Sequence, residues 1–271
     1  MLTTMGDEPR GVPQAIVRPK AGEATIDVER LHPRTTLGPF VDYLWLVRWR
    51  APRPHEQQVV PQPRIHIAAE EGRLLVHGIN RDPFFRTLTG NGHVLGAAFY
   101  ASGFRPLLGS SVGALAGRVV PAGDLFGDDD RPVARTILGT SDTIVMLKAL
   151  EDYLAARNAR PDPTADELSA LVAYAASTPS LTRADALAEH AGMGLRTLQR
   201  LFTEYVGIGP KWVIQRFRLL DAAQAAHGGT DVDWAALAVT LGFSDQAHLT
   251  RVFTRVVGTP PATYARDPRT R

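Results

Sequence analysis

The chain has no cysteine in its 271 residues. That excludes disulfides, thiolate metal sites and a cysteine nucleophile, and it sets the expectation of a cytoplasmic protein. No run of about eighteen consecutive apolar residues occurs, so no membrane partner is expected. The first residues, Met1 to Glu8, lack the basic and apolar regions of a signal peptide. Aromatic residues are sparse at 7%, and the net charge is only +2. The charge is uneven, however. Residues 180–271 carry 11 Lys/Arg against 8 Asp/Glu, while the preceding residues are slightly acidic. So small an excess does not by itself identify a nucleic-acid partner. With 44% apolar and 21% charged residues, the composition is that of a globular chain long enough for two cores.

The last third of the chain contains a weak internal repeat with a period of about fifty residues. Leu187-Ala188-Glu189-His190-Ala191-Gly192-Met193 corresponds to Leu237-Ala238-Val239-Thr240-Leu241-Gly242-Phe243. Leu198-Gln199-Arg200-Leu201-Phe202-Thr203 then corresponds to Leu249-Thr250-Arg251-Val252-Phe253-Thr254, with one extra residue in the second turn. Each copy continues to a Gly and a Pro, Gly207 to Pro210 and Gly258 to Pro260. Helix, Gly turn, helix, Gly stop and Pro restart is the pattern of a helix-turn-helix. Two in tandem fit two successive major-groove segments of DNA.

Ahead of the repeat the pattern differs. Short runs rich in β-branched and aromatic residues, Tyr43–Val47, Arg64–Ala68 and Arg73–His77, are separated by clusters such as Ala51-Pro52-Arg53-Pro54 and Glu70-Glu71-Gly72. They predict a β-rich, barrel- or sandwich-like domain. A helix follows at 142–157, with Ile144, Leu147, Leu150 and Leu154 on one face. That stripe suits either a dimer seam or packing onto its own sheet. The two prolines of Arg157–Pro163 mark a linker. The expected fold class is therefore α+β. Residues 1–160 form a β-rich sensing or dimerising domain, and 161–271 an all-α tandem helix-turn-helix domain. Capping boxes are read at Thr164/Glu167 and Thr182/Asp185, a cap at Asp233, and a connecting helix over 210–226 with Pro210 at its first position.

At about 100° per residue, Leu198, Leu201, Phe202 and Tyr205 fall on one side of the first repeat's second helix. Arg196, Gln199, Arg200 and Thr203 fall on the other. In the second copy Leu249, Val252, Phe253 and Val256 face inward, and Gln246, Ala247, Thr250 and Arg251 outward. Guanidinium and amide groups read guanine and adenine edges bidentately, and a methyl can meet thymine. One such helix is an ordinary solvated surface. Two in matching turns point to DNA.

Residues 164–271 resemble the DNA-binding domain of the AraC/XylS family of bacterial transcription regulators. The resemblance rests on Leu237-Ala238, Gly242 to Phe253 and Gly258 to Tyr264, and on Arg196, Leu198, Arg200, Phe202, Gly207, Pro210 and Arg218. It implies double-stranded DNA and RNA polymerase as partners. Base contacts would come from the two outward faces, Arg196, Gln199, Arg200 and Thr203, and Gln246, Ala247, Thr250 and Arg251. For the N-terminal half it implies a small-molecule effector, a homodimer contact, or both. No cofactor, no metal and no catalytic residue is expected. Two departures stand out, Gly194 where a capping Ser, Thr or Asn is common, and Ala247 in a base-reading position.

Three other signals receive plainer readings. Gly109-Ser110-Ser111-Val112-Gly113 fits the hydrolase pattern G-x-S-x-G, but every later histidine lies in the helical domain, so it reads as a loop. His55, Glu56, His66, Glu70 and His77 raise a metal site but show no H-x-H pair. Trp45, Trp49, Phe84, Phe85, Phe99 and Tyr100 are candidates for core or for the lining of an effector pocket. An alkyl-transfer enzyme fused to a DNA-binding tail would need an acceptor cysteine, which is absent. A protein-interaction module with these helices is the remaining competitor.

Overall fold

The computed structural model describes residues 16–17, 25–59, 61–227 and 232–266. The segment read for a leader, Met1 to Glu8, lies outside them.

Seven strands form one antiparallel sheet: β1 Ile16–Val17, β2 Thr25–Leu31, β3 Val41–Val59, β4 His66–Glu70, β5 Arg73–His77, β6 Phe84–Phe99 and β7 Val119–Pro121. Their order is β1-β3-β6-β4-β5-β7, with β2 also on β3. Period-two burial decides the faces. Leu44, Leu46, Ile67, Ala69, Leu74, Val76, Leu95, Ala97 and Phe99 turn to one side. Helices α1 (Arg105–Leu108), α2 (Ala122–Phe126), α3 (Arg131–Leu138) and α4 (Thr143–Ala155) accompany the sheet. Ala122, Ala134, Ile137, Met146 and Leu150 join the same core. The hairpin at Glu71-Gly72 has φ of 52° and 75°, as a two-residue turn between twisted strands requires.

One expectation needs correction, and one open choice is decided. Ala51–Pro54 does not separate strands. β3 runs through it, and the register shifts there from Ala51↔Gly90 to His55↔Leu88, so three residues on one strand oppose one on the other. Prolines lack the amide a regular ladder needs, and a bulge is where a sheet accepts them. Of the two uses open to the α4 stripe, packing onto its own domain is the one seen. Leu147, Leu150 and Leu154 are buried against the chain's own sheet, and Ile144 lies off the stripe at 65% exposure.

Beyond α4 the described residues are helical: α5 Pro163–Ser177, α6 Ala184–His190, α7 Leu195–Leu201, α8 Pro210–His227, α9 Trp234–Thr240, α10 Gln246–Val257 and α11 Pro261–Arg266. Two of the predicted capping boxes are absent. Asp162 caps α5 by accepting from the Thr164 amide, with Pro163 at the first position. α6 begins after Arg183 without a side-chain cap, and Asp185 pairs with Arg183 instead. Asp233 does cap α9, accepting from the Ala235 and Ala236 amides.

Phe202 and Phe253 sit at 0% exposure in one helical core with Leu187, Leu198, Leu249 and Ala238. Arg218 is buried beside them at 1%. It donates to the carbonyls of Ala175 (2.6 Å), Thr178 and Leu181 (3.2 Å), and its Nε lies 3.0 Å from Asp221. Those carbonyls lie at and beyond the end of α5, where Thr178 O also accepts from the Leu181 amide, so Arg218 ties α8 to the end of α5.

Candidate nucleic-acid interface

α6 and α7 form the first helix-turn-helix, α9 and α10 the second. Each turn contains a glycine in the left-handed region, Gly192 at φ 64° and Gly242 at φ 76°. The second turn is one residue longer, Phe243 and Ser244 standing where the first has Met193 alone. Buried residues orient the second helix of each unit. Leu198 and Phe202 pull one side of α7 inward, and Leu249, Phe253 and Val256 do the same for α10.

The opposite sides carry the side chains singled out from the sequence. Arg196, Gln199, Arg200 and Thr203 are exposed together, and they line one shallow depression with Ser111 and Glu204. On α10, Gln246, Ala247 and Arg251 are exposed, and Thr250 is half-buried. The structure thus gathers the eight residues as two separate faces, one per unit, with the 18-residue α8 running between the units.

The two faces differ in their surroundings. α10 starts from Asp245, whose side chain accepts from the His248 amide at 2.6 Å. That bond holds the carboxyl below its usual pKa. Ser244 Oγ lies 3.1 Å from His248 Nδ1 and closes the turn. α7 starts from Gly194, which supplies no side-chain cap. α7 also ends differently, running on into a single wider π turn over Phe202–Val206. Thr203 Oγ1 donates to Gln199 O at 2.9 Å. Arg200 pairs with Glu204 at 3.3 Å, and Glu204 lies 3.5 Å from Arg105 of the sheet domain.

The loop read as a non-catalytic Gly-Ser stretch reaches this end of α7. Ser111 caps a 3-10 turn, Val112–Leu115, by accepting from the Gly113 amide. A Cβ at Gly113 would stand 2.9 Å from the Thr203 carbonyl. The backbone of the sheet domain therefore presses on the last turn of the first unit. Sequence alone gave no signal for this contact, because it joins residues about ninety positions apart.

The residues weighed for other chemistry are only partly brought together. No group of three or more His, Cys, Asp or Glu among the described residues is arranged to hold a metal. Of the six aromatics, Phe99 packs on Phe104 in the helix-side core, Phe85 and Tyr100 are exposed, and Trp49 donates to Thr89 O. Trp45 and Phe84 remain on the other face of the sheet, beside His66 and His77.

The family profile described as "Helix-turn-helix domain" matches residues 187–267. The C-terminal region is an AraC-type helix-turn-helix domain. A second profile, "Domain of unknown function (DUF6597)", covers residues 29–121 of the sheet domain. The "Transcriptional activator NphR" of Rhodococcus sp is 25% identical over 226 residues, which is 81% of this chain and 59% of that protein. The "Probable transcription factor PqrA" of Proteus vulgaris is 32% identical over 80 residues, 30% of this chain and 65% of that protein. The chain thus spans about three fifths of the length of these relatives. Among solved structures, ToxT from Vibrio cholerae aligns over 90% of this chain and 98% of its own, with TM-score 0.37 and 12% identity. The match to PqrA covers about as much chain as the AraC-type domain itself, whereas NphR extends into the sheet domain. No helix among the described residues is long and apolar enough to cross a membrane.

Proposed function

We propose that this chain is a sequence-specific DNA-binding transcription regulator of the AraC/XylS type. Residues 161–271 bind DNA, and residues 1–160 sense a small molecule, with RNA polymerase as the partner that reads the outcome. The observation that carries this reading is the repeated exposed face. Arg196, Gln199, Arg200 and Thr203 on α7, and Gln246, Ala247, Thr250 and Arg251 on α10, stand outward from one shared core. The names of the relatives, a transcriptional activator and a transcription factor, support it. Arg and Gln contribute base-edge hydrogen bonds, and Ala247 apolar contact to a thymine methyl.

A salt titration of binding to random duplex DNA tests it. Neutralising phosphates releases counterions, so affinity falls linearly in a log–log plot. Salt-independent binding, or none, would favour a protein-interaction module instead. A genome-wide selection of bound fragments then supplies the operator.

A further inference from the structure

The sheet's second face holds a polar cluster that neither DNA binding nor the core uses. His66 and His77 are register partners on β4 and β5, and both turn away from the helices. Trp45 meets His66 edge to face at 6.3 Å, and Phe84 stacks on His77 at 6.3 Å. Glu70 touches Arg86, and its other oxygen lies 3.4 Å from His77 Nε2.

These contacts require the sheet to fold back on itself. β4 pairs with the far half of β6, Ala68 opposite Gly96. In a flat sheet Arg86 would lie about 25 Å further along β6 than the neighbour of Glu70. It touches Glu70 because the β3–β6 ribbon bends at the Ala51–His55 bulge and lays its outer half over β4 and β5. The region between the two halves is thereby bordered by Trp45, His66, His77 and Phe84.

The space is built rather than incidental. Trp45 lies flat on β6, and a Cβ at Gly96 would stand 2.4 Å from its ring, so only glycine fits beneath it. Its indole Nε1 is buried with no hydrogen-bond partner among the described residues, and His77 Nε2 makes no well-directed bond there either. Buried polar groups left unmatched are rare and ask for an explanation. His66 lies deep enough that burial pushes its pKa down to about 3, yet it keeps some accessible surface. Burial lowers His77 as well. Both imidazoles are therefore neutral at neutral pH, each offering one N–H and one lone pair. Glu70 and Arg86 offset each other, and Arg64, the cation acting on His66, is paired with Asp42.

We propose that this space is a binding site for a small uncharged molecule with a flat ring and a hydrogen-bonding group. The ring lies between Trp45 and Phe84, and the polar group bridges Trp45 Nε1 and the two imidazoles. A net charge on the ligand would be buried without a partner, which is the costly case.

Occupancy has a short route to the helical domain. Two residues beyond His77, Ile79 is 3% exposed and sits in the helical core rather than the sheet core. Arg81 O accepts from Arg216 of α8 at 2.8 Å. The Ile79 carbonyl accepts from the Gly117 amide, just beyond the 3-10 turn that presses on α7. A shift of His77 and Phe84 would thus reach α8 and the turn that presses on the end of α7. This step rests on the regulator reading, but its test does not involve DNA.

The test uses three near-isosteres that differ in charge: benzamide, benzoate and benzamidine. Binding to the full chain is followed by tryptophan fluorescence and ligand-observed NMR. Benzamide should bind saturably at millimolar concentration, the range open to so few atoms. The two ions should bind about tenfold more weakly or not at all. Trp45→Phe, which keeps the ring and removes the unmatched N–H, should weaken benzamide. Benzamide saturation should also change hydrogen exchange across Ile79–Asp82. Equal or stronger binding by either ion overturns the assignment of ligand class, and absence of saturable benzamide binding overturns the site. Unchanged exchange at Ile79–Asp82 overturns the route. The isostere comparison uses the unmodified protein, so a misfolded variant does not blunt it.

Discussion

The two helix-turn-helix units share a pattern but not a means of support. The second carries its own caps, although Gln58 of β3 also donates to Val256 O near the end of α10 at 2.9 Å. Asp233 caps α9, Asp245 caps α10, and Ser244 with His248 closes the turn. The first has no side-chain cap on α6 or α7. It is held by tertiary contacts instead: Arg218 on the end of α5, the Val112–Leu115 turn against the Thr203 end, and Arg105 beside Glu204 with its guanidinium 5.2 Å from the Tyr205 ring. Local capping makes a helix end insensitive to its neighbours. Dependence on neighbours lets the sheet domain influence what α7 presents.

The largest expected effects come from the paired core phenylalanines. Phe202→Ala and Phe253→Ala should each cost ~3–5 kcal/mol, read by thermal or urea unfolding. Both are fully buried, so the losses should be similar if the units share one core. Unfolding confined to one unit in either variant would show two separate cores. Arg218→Met should cost about 3 kcal/mol by stranding the α5 carbonyls. Its damage should fall on the first unit, seen as faster hydrogen exchange in α5 and α6 with α10 unchanged.

Smaller effects concern the faces. Arg200→Ala and Arg251→Ala should each weaken operator binding by ~1–3 kcal/mol where the contact is bidentate, with circular dichroism unchanged. Arg200 is tied to Glu204 in the free protein, so its loss should be the milder. Unaltered binding in both variants would remove these residues from the interface. Least of all, Gly194→Asp should give the first unit the cap that Asp245 gives the second, raising stability by about a few tenths of a kcal/mol. A decrease would mean that the extended backbone at Gly194 cannot present a side chain to α7.

How much the sequence revealed follows the same division between local and distant. The tandem units were legible because Leu187, Leu198 and Phe202, like Leu237, Leu249 and Phe253, recur at spacings a helix imposes. The outward faces followed from the same period. The cap read at Thr164 falls to Asp162, two residues earlier, and the one read at Thr182 is absent because α6 starts after Arg183 with Asp185 paired to that arginine. The α4 stripe fitted two uses equally, and only the sheet beneath it decided. Pro52 and Pro54 read as breakers although β3 passes through them as a bulge. In the sheet domain His66, Glu70, His77 and Trp45 were visible as residue types. Their meeting was not, since it depends on register and on a bend that brings in Arg86, which no local pattern announces.

The central claim is that one chain reads DNA with both units at a fixed spacing. With α8 as a stiff connector, α7 and α10 should enter major-groove segments about one helical turn, roughly 10 bp, apart on one face. Inserting five base pairs between those segments of a selected operator moves the second to the opposite face. The account predicts loss of specific binding by one monomer in a gel-shift titration. Unchanged affinity for the lengthened site would contradict it and leave a single unit in contact with bases.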